Sequence, residues 1–465
     1  MSTISKNDEK MEKRSLRFEL ICAAMMGFGQ LCIMTGFDSE SFILESVIHS
    51  IHEREPDKIS PLAGYYGQAF SYLAYMIACL FSSSIVNVIN PKMCLVLCAI
   101  CFTSFPIGFF FTNSYYYYFA SCIMGIGFAL FYQGQGGYLA SHSTRETIES
   151  NISISWSIGC SSLFIGFIII SGVTKMTQSN MDIDTTHHME RRFSDSEITL
   201  CFAAFSAVSM IGIVNFLLLP SKDVESCIES GKSEKTFEEG LRLTAETLKS
   251  TKIIKLIPLF ALCGFMTSFW ISVFPTAMNF NMHNSDMIYA TAIYSLGAGF
   301  GEVLMGVAIS FLSKRIKDFG LLPTMFIGST SLTIYCILVA LSTPYNATYQ
   351  PTHEQPLLFH HSQPLIFVLA LLAGITDCCI NSVRGVVCTL MMPKRRAQAF
   401  AVSKFHQAWA SCLLFFLTPY INIYIYTIGL PILSVIASIL FFKVARGIQS
   451  MERRKVIHEK TPNKI

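Results

Sequence analysis

The sequence predicts an all-α membrane protein with twelve transmembrane helices, arranged as six plus six, and with both termini in the cytoplasm. Three observations predict it. Of 465 residues, 52% are hydrophobic and only 14% are charged, and the mean hydropathy is +0.48, far more apolar than a soluble globular chain. Twelve apolar runs are long enough to cross a hydrocarbon core of about 30 Å at about 1.5 Å per residue. Lysine and arginine concentrate in alternate connections, which assigns a side to each.

In order, the runs are Leu16 to Phe37, Pro61 to Val86, Met93 to Phe111, Tyr116 to Leu139, Ile148 to Gly172, Ile198 to Leu219, Ile253 to Pro275, Ile288 to Phe311, Leu321 to Leu341, Pro364 to Met392, Ala397 to Tyr420 and Ile423 to Lys443. The first comes with Lys6, Lys10, Lys13, Arg14 and Arg17, as a signal peptide would, but it is too long and lacks a clear small-residue cleavage site. It reads as a retained span. With the N-terminus in the cytoplasm, the inner segments hold 27 lysines and arginines and the outer loops hold 5, while Arg384 and Lys404 lie within spans. The sequon Asn346-Ala347-Thr348 then falls outside, where N-glycosylation can occur, and Asn151-Ile152-Ser153 falls at the cytoplasmic start of span five. Of sixteen cysteines, fifteen lie in spans and Cys227 in a cytoplasmic linker, so no extracellular disulfide framework is expected.

The longest cytoplasmic connection, 220–252, separates a six-helix half at 1–219 from a second at 253–443, with a cytoplasmic tail at 444–465. Within it, TFEEGLRLTAETLKSTK opens with Thr236 three residues before Glu239, the spacing of a capping box, and sets Phe237, Leu241 and Leu248 near one face. This predicts a short helix on the inner membrane surface. Two six-span halves joined in this way are the plan of the major facilitator superfamily, whose pseudo-symmetric halves enclose a site near the bilayer midplane.

Charges and amides within spans define the candidate site, because each must be paired, hydrogen-bonded or hydrated there. By these boundaries the first half carries no internal charge, and Gln30, Gln68, Gln133 and Gln135 are its candidate cavity amides. The second half carries Glu302, Asp377, Arg384 and Lys404, which with Asn381 form a candidate intramembrane polar or ion site. Asp377 lies near the middle of its span, whereas Arg384 lies about 10 Å nearer the cytoplasm, where its long side chain can snorkel. Asp377, Asn381 and Arg384 share one stripe of the helix, yet that axial separation is too long for a direct ion pair. Glu302 is placed to meet Lys404 or Arg384, which leaves Asp377 protonated, hydrogen-bonded or facing a wet cavity. Two readings stay open: a neutral network that fixes the packing of the second half, or a proton or cation site of a transport cycle at Asp377 or Glu302.

Gly125 and Gly127 in span four, and Gly297, Gly301 and Gly306 in span eight, offer small surfaces for close helix packing or for bending during gating. At the outer end of span one, Phe37 to Lys58 carries Asp38, Glu40, Glu45, Glu53, Glu55 and Asp57 against Arg54 and Lys58. The expectation is a solvated loop, with cation attraction or a basic partner as alternatives. The outer pairs His187-His188 and His360-His361 are likewise expected to be solvated, with metal binding or pH sensing as the alternative. SCIESGKS, Ser226 to Ser233, lacks the first glycine of a phosphate loop, and neither HExxH nor GxSxG occurs. No catalytic residue, metal site, cofactor or nucleic-acid partner is expected.

Four stretches, in order, resemble the UNC-93-like branch of the major facilitator superfamily: GIGFALFYQGQGGYL at Gly125 to Leu139, GAGFGEVLMG at Gly297 to Gly306, GITDCCIN from Gly374, and AQAFAVSKFHQA at Ala397 to Ala408. The family usually has Trp where this chain has Tyr132, and the superfamily's charged signature between spans two and three is reduced to NPK, Asn90 to Lys92. The resemblance implies a transporter-like fold with accessory roles, such as regulating potassium channels or escorting membrane receptors, and it matches Glu302 and Asp377 to acids of the family pattern. The expected function is therefore non-enzymatic: a regulatory or accessory protein of an ion channel, foremost a potassium channel, in the plasma membrane or an endomembrane. Its expected partners are membrane lipid and channel subunits. The alternatives are a secondary transporter of a small solute, ion or proton, and a receptor-trafficking chaperone.

Overall fold

The computed structural model describes residues 6–111, 113–144, 146–178, 193–224, 227, 236–284, 287–316, 319–392 and 395–460. His187-His188, and Ser226 to Ser233 apart from Cys227, lie outside the described residues. Among the described residues, twelve helices are long and apolar enough to cross a membrane. Among the described residues the one β-type feature is an isolated bridge between Asn281 and Thr352.

The helices are α1 (Lys6–Arg54), α2 (Ala63–Val88), α3 (Pro91–Ile107), α4 (Ser114–Ser141), α5 (Ile148–Cys160), α6 (Ser162–Gln178), α7 (Asp195–Leu218), α8 (Phe237–Leu248), α9 (Thr251–Ile254), α10 (Ile257–Ser268), α11 (Phe274–Phe280), α12 (Ala290–Arg315), α13 (Leu322–Ser342), α14 (Gln363–Met391), α15 (Arg396–Leu417) and α16 (Ile423–Lys460). Helices α5 and α6 make span five, broken at Ser161, and α10 and α11 make span seven, joined by a π turn at Phe269–Val273. Pro275 explains the turn: it has no N–H to continue the ladder, and the backbone before it widens. The end of the bundle that carries α8 is called the linker end, and the opposite end the far end.

The first helix corrects an expectation. Phe37 to Lys58 is not a solvated acidic loop, because α1 runs on to Arg54 and buries Glu40 and Glu45. No glycine or proline interrupts the chain between Gly36 and Pro56, and Ile43, Val47 and Ile51 recur every four residues on the packed face. The helix stops where Pro56 disfavours helical backbone at Glu55. Arg54, at its C-terminal end, is tied to the start of α7 by a 2.7 Å bond to the Phe193 carbonyl and a 2.7 Å ion pair with Asp195. The last span also overruns its expected end, with α16 continuing to Lys460.

Two seams join the first six spans to the last six, α2 against α15 and α5–α6 against α12. The linker helix crosses one of them: α8 lies on both α2 and α15, with Thr244 Oγ1 3.0 Å from Ser83 and Glu246 paired to Arg395 at 2.8 Å. Its start is capped as the sequence predicts, with Thr236 Oγ1 accepting from the Glu239 N–H at 3.3 Å. Glycines set the closest approach within the second six spans. A Cβ on Gly297 would lie 2.7 Å from the Phe367 carbonyl, one on Gly301 2.9 Å from Ile375 N, and one on Gly374 2.9 Å from Glu302 N. These three bring α12 and α14 together at backbone distance. Gly125 abuts the Ser71 carbonyl of α2, and Gly127 faces Cys101 and Phe102 of α3. Gly306 differs from the packing role expected of it: its nearest neighbour would be Cys378 Sγ at an ordinary 3.8 Å.

The far end carries a second correction. His360 is exposed, but His361 is buried beneath the bundle's loops rather than solvated. Asn284 Nδ2 donates to both the Met278 carbonyl and His361 Nδ1, each at 2.8 Å, so Nδ1 must accept and the ring proton sits on Nε2, 3.4 Å from Thr343 Oγ1. Burial, with His360 adding in the same direction, pushes this imidazole down to about 4. In the same region Asn346 donates from Nδ2 to Glu354 at 2.6 Å and accepts from Tyr349, and Thr348 of the sequon is fully buried.

Two outcomes follow from this packing. Gly301→Ala forces the α12–α14 backbones apart and should lower the apparent melting temperature of the detergent-solubilised protein, a loss of about 1–3 kcal/mol, whereas Gly306→Ala should leave it unchanged or raise it. The second concerns pH. An unfolded His361 binds a proton below its ordinary 6.5 and the folded one only below about 4, so stability should fall as pH drops from about 6.5 to about 4 and then level. The loss is up to about 3 kcal/mol, and thermal unfolding across that window should be flatter in His361→Gln.

Candidate functional site

At the centre of the bundle a cavity of about 90 Å³ opens between the two seams. It has room for several water molecules, at roughly 10–15 Å³ each, and is well below the several hundred Å³ of a drug-sized pocket. Its polar lining comes from both halves: Gln30 and Asp38 of α1, Tyr72 and Tyr75 of α2, Tyr132 of α4, Cys160 of α5, Thr267 of α10, Trp270 of the π turn, Glu302 of α12, Asp377 and Asn381 of α14, and Lys404 and Gln407 of α15.

Asp377 is held by neutral donors. Its Oδ1 accepts from Thr267 Oγ1 at 3.0 Å and from Trp270 Nε1 at 3.1 Å. The π turn aims the indole: Tyr294 OH donates to the Trp270 carbonyl at 2.8 Å, and Phe42 of α1 packs on both rings. Asn381 turns its amide back to the Asp377 carbonyl at 3.0 Å. Such bonds to an ionisable oxygen fix the carboxyl without neutralising it.

Neither base is paired with an acid among the described residues, and Arg384 Nε is buried without a hydrogen-bond partner. Lys404 Nζ lies 3.6 Å above the centroid of the Tyr132 ring, a cation–π contact across the α4–α15 interface. Arg384 does not snorkel: it is 3% exposed, donates from Nη1 to Gln407 Oε1, and sits over the Phe400 ring at 5.4 Å. The expected pairing of Glu302 with Lys404 or Arg384 is not made, and among the described residues no ion pair joins any acid of the cavity to either base. Glu302 instead meets the Cys160 thiol across the α5–α12 seam.

A third acid completes the cavity. Asp38, placed by the sequence in a loop, accepts from Ser162 Oγ at 3.2 Å at the start of α6, and its charge interacts with that of Asp377. The first half is therefore not free of internal charge. Of the four amides, Gln30 lines the cavity and accepts from Gln135 Nε2 at 2.7 Å, while Gln68 and Gln133 lie buried away from it. Among the described residues no group of His, Cys, Asp or Glu is placed to hold a metal ion. Thr267 and Trp270 were not signalled by charge. Pro275, five residues beyond Trp270, is the mark in the sequence of the π turn that carries Trp270.

Comparison with known proteins gives the context of this geometry. The profile of the family described as "Ion channel regulatory protein UNC-93" matches residues 55–442. The UNC93-like proteins MFSD11 of Xenopus laevis and Xenopus tropicalis are each 23% identical over 448 residues, 92% of this chain and 97% of theirs. Among solved structures, the nucleoside transporter NupG aligns with a TM-score of 0.58 at 16% identity, covering 92% of this chain and 98% of that one. A variant of the E. coli fucose:proton symporter FucP aligns at 0.56 and 10% identity, covering 92% and 98%. A variant of the peptide transporter POT aligns at 0.58 and 13%, covering 92% and 94%. These transporters share the major facilitator superfamily fold, and at such identities they show the fold alone.

The Lys404–Tyr132 contact sets an expected order of stabilities. Tyr132→Leu removes the π face and should destabilise by about 1–2 kcal/mol, Tyr132→Phe should be close to neutral, and Tyr132→Trp should hold the ammonium at least as well. Melting curves of the four proteins in one detergent check the order.

Proposed function

The chain belongs to the UNC-93 family, and from that premise we propose that it is a non-enzymatic, proton-coupled secondary transporter of a small polar solute. One observation carries this reading. Three carboxyls and one ammonium, drawn from both sets of six spans, converge on a single cavity at the seams along which such halves rock. Acids outnumber bases there, and the bases rest against aromatic faces and an amide and not against the acids. A cation must then compensate the excess whenever the cavity is closed, and the small volume favours a proton over a hydrated metal ion. In this reading residues 1–219 and 253–443 are the two moving halves, 220–252 tethers them, and the linker end faces the cytoplasm. The structural likenesses to transporters of nucleosides, fucose and peptides support the architecture.

A second reading, regulation of an ion channel and of a potassium channel in particular, is favoured by the family's own description. In it, the same cavity would set the conformation that a channel subunit recognises.

Reconstitution separates them. Protein in liposomes containing a pH-sensitive dye, under an acid-outside gradient, is offered a nucleoside, fucose and a dipeptide. The expected result is accumulation of one solute with acidification of the lumen, reduced by at least about 100-fold in Asp377→Asn and Asp38→Asn. If no solute moves, the dye stays flat, and a channel subunit co-purifies from native membrane, the transporter reading gives way to the regulatory one.

A further inference from the structure

A second buried polar feature lies between the cavity and the far end. Along α1, Asp38, Ser41, Glu45, His49 and Glu53 recur every three or four residues and so share one face. Asp38 is in the cavity, and the other end reaches water: His49 Nε2 lies 3.7 Å from Glu53 Oε1, with side chains 22% and 27% exposed. Between them Glu45 is 1% exposed.

Helix α2 is shaped to this stripe. The Tyr65 N–H donates to Glu45 Oε2 at 2.8 Å, Gly64 leaves no room for a side chain against that carboxyl, and Gln68 Nε2 donates to Ser41 Oγ at 3.0 Å. Two oxygens between α1 and α2 have no hydrogen-bond partner: Glu45 Oε1 and Gln68 Oε1. Among the described residues no basic group stands within ion-pair reach of Glu45. The ionisable groups whose charges act on it from the packed helices are Tyr65 and Tyr66 of α2 and Tyr117 and Tyr118 of α4, and none of these supplies a positive charge. A sealed carboxylate oxygen with no donor is strongly unfavourable, and a proton on that oxygen removes the penalty.

We propose that Glu45 is a second proton-binding residue, a relay between the His49–Glu53 pair at the far surface and Asp38 in the cavity. It rests on the proton-coupled reading above. A proton taken from water by His49 passes about 6 Å along the helix to Glu45, turning carboxylate into neutral acid and imidazolium into imidazole. It then moves about 10 Å to Asp38 across water that enters the stripe beside Ser41, each water releasing one hydrogen as it receives another. One proton and no electron moves in each step, and because no hydrogen bond joins Glu45 to His49 or Ser41 in this state, water entering the stripe is the only co-reactant each step needs.

The test uses the full-length protein in liposomes and the probe dicyclohexylcarbodiimide, which adds to protonated carboxyls in apolar surroundings. Peptide mapping of wild type should find the adduct at Glu45 in mildly acidic buffer and little at alkaline pH. Glu45→Gln keeps an acceptor for the Tyr65 N–H, so it should fold, yet lumenal acidification should slow by at least about tenfold. Labelling at Asp38 or Asp377 with none at Glu45 at any pH overturns the relay, and so does wild-type acidification in Glu45→Gln. Both results leave the transporter reading standing, because that reading is judged on Asp38→Asn and Asp377→Asn. Should Glu45→Gln not fold, or wild type move no protons, the wild-type labelling pattern decides alone.

Discussion

The structure depends on how a carboxyl can sit near the middle of a membrane. Asp377 is tolerated because Thr267 at the end of α10 and Trp270 in the π turn ahead of Pro275 both donate to it. The turn is fixed in its place by Tyr294 of α12, whose hydroxyl caps the Trp270 carbonyl. Helix α12 reaches that position because Gly297, Gly301 and Gly374 let it lie against α14 at backbone distance. One buried oxygen thus links the backbone irregularity of one span, the glycine seam of two others and an aromatic contact from α1.

Much of the fold was legible because crossing a hydrocarbon core demands a long apolar run, and that demand leaves a signal no other property obscures. The far half of α1 was not legible by the same rule. Hydropathy scores Asp38, Glu40 and Glu45 as solvent-seeking, although the spacing of Ile43, Val47 and Ile51 and the absence of a breaker before Pro56 keep the helix going. At the site, Asp377, Glu302, Arg384 and Lys404 stood out as charges in apolar runs, and the cavity gathers three of the four, with Arg384 behind Gln407. Their partners did not stand out. Threonine, tryptophan and glutamine are ordinary in a span, and axial depth alone says nothing of azimuth, which is why Glu302 meets Cys160 rather than a base.

Asp38 decides the charge balance of the whole site. With it in a loop, two acids and two bases form a closed set in the second half, and a structural network is a sufficient account. With it in the cavity, the set spans both halves and carries an excess acid. A network confined to one half can be rigid. One shared across both seams ties the two sets of six spans to each other.

The treatment of the bases sharpens this point. Had Lys404 and Arg384 paired with Asp377 and Glu302, each carboxyl would be committed, and releasing it would leave an uncompensated charge on both partners. Instead Lys404 rests on the Tyr132 ring, and Arg384 on Gln407 and Phe400, so the cations are accommodated by groups that carry no charge. The acids are left with neutral donors, which hold them in place in either protonation state. Tyr132 belongs to the first six spans and Lys404 to the last six, so the contact that holds the ammonium crosses between the two sets while the ammonium itself lines the same cavity as the three acids. The position of the positive charge within the cavity is therefore set by a ring from the opposite set of spans and not by the acids beside it.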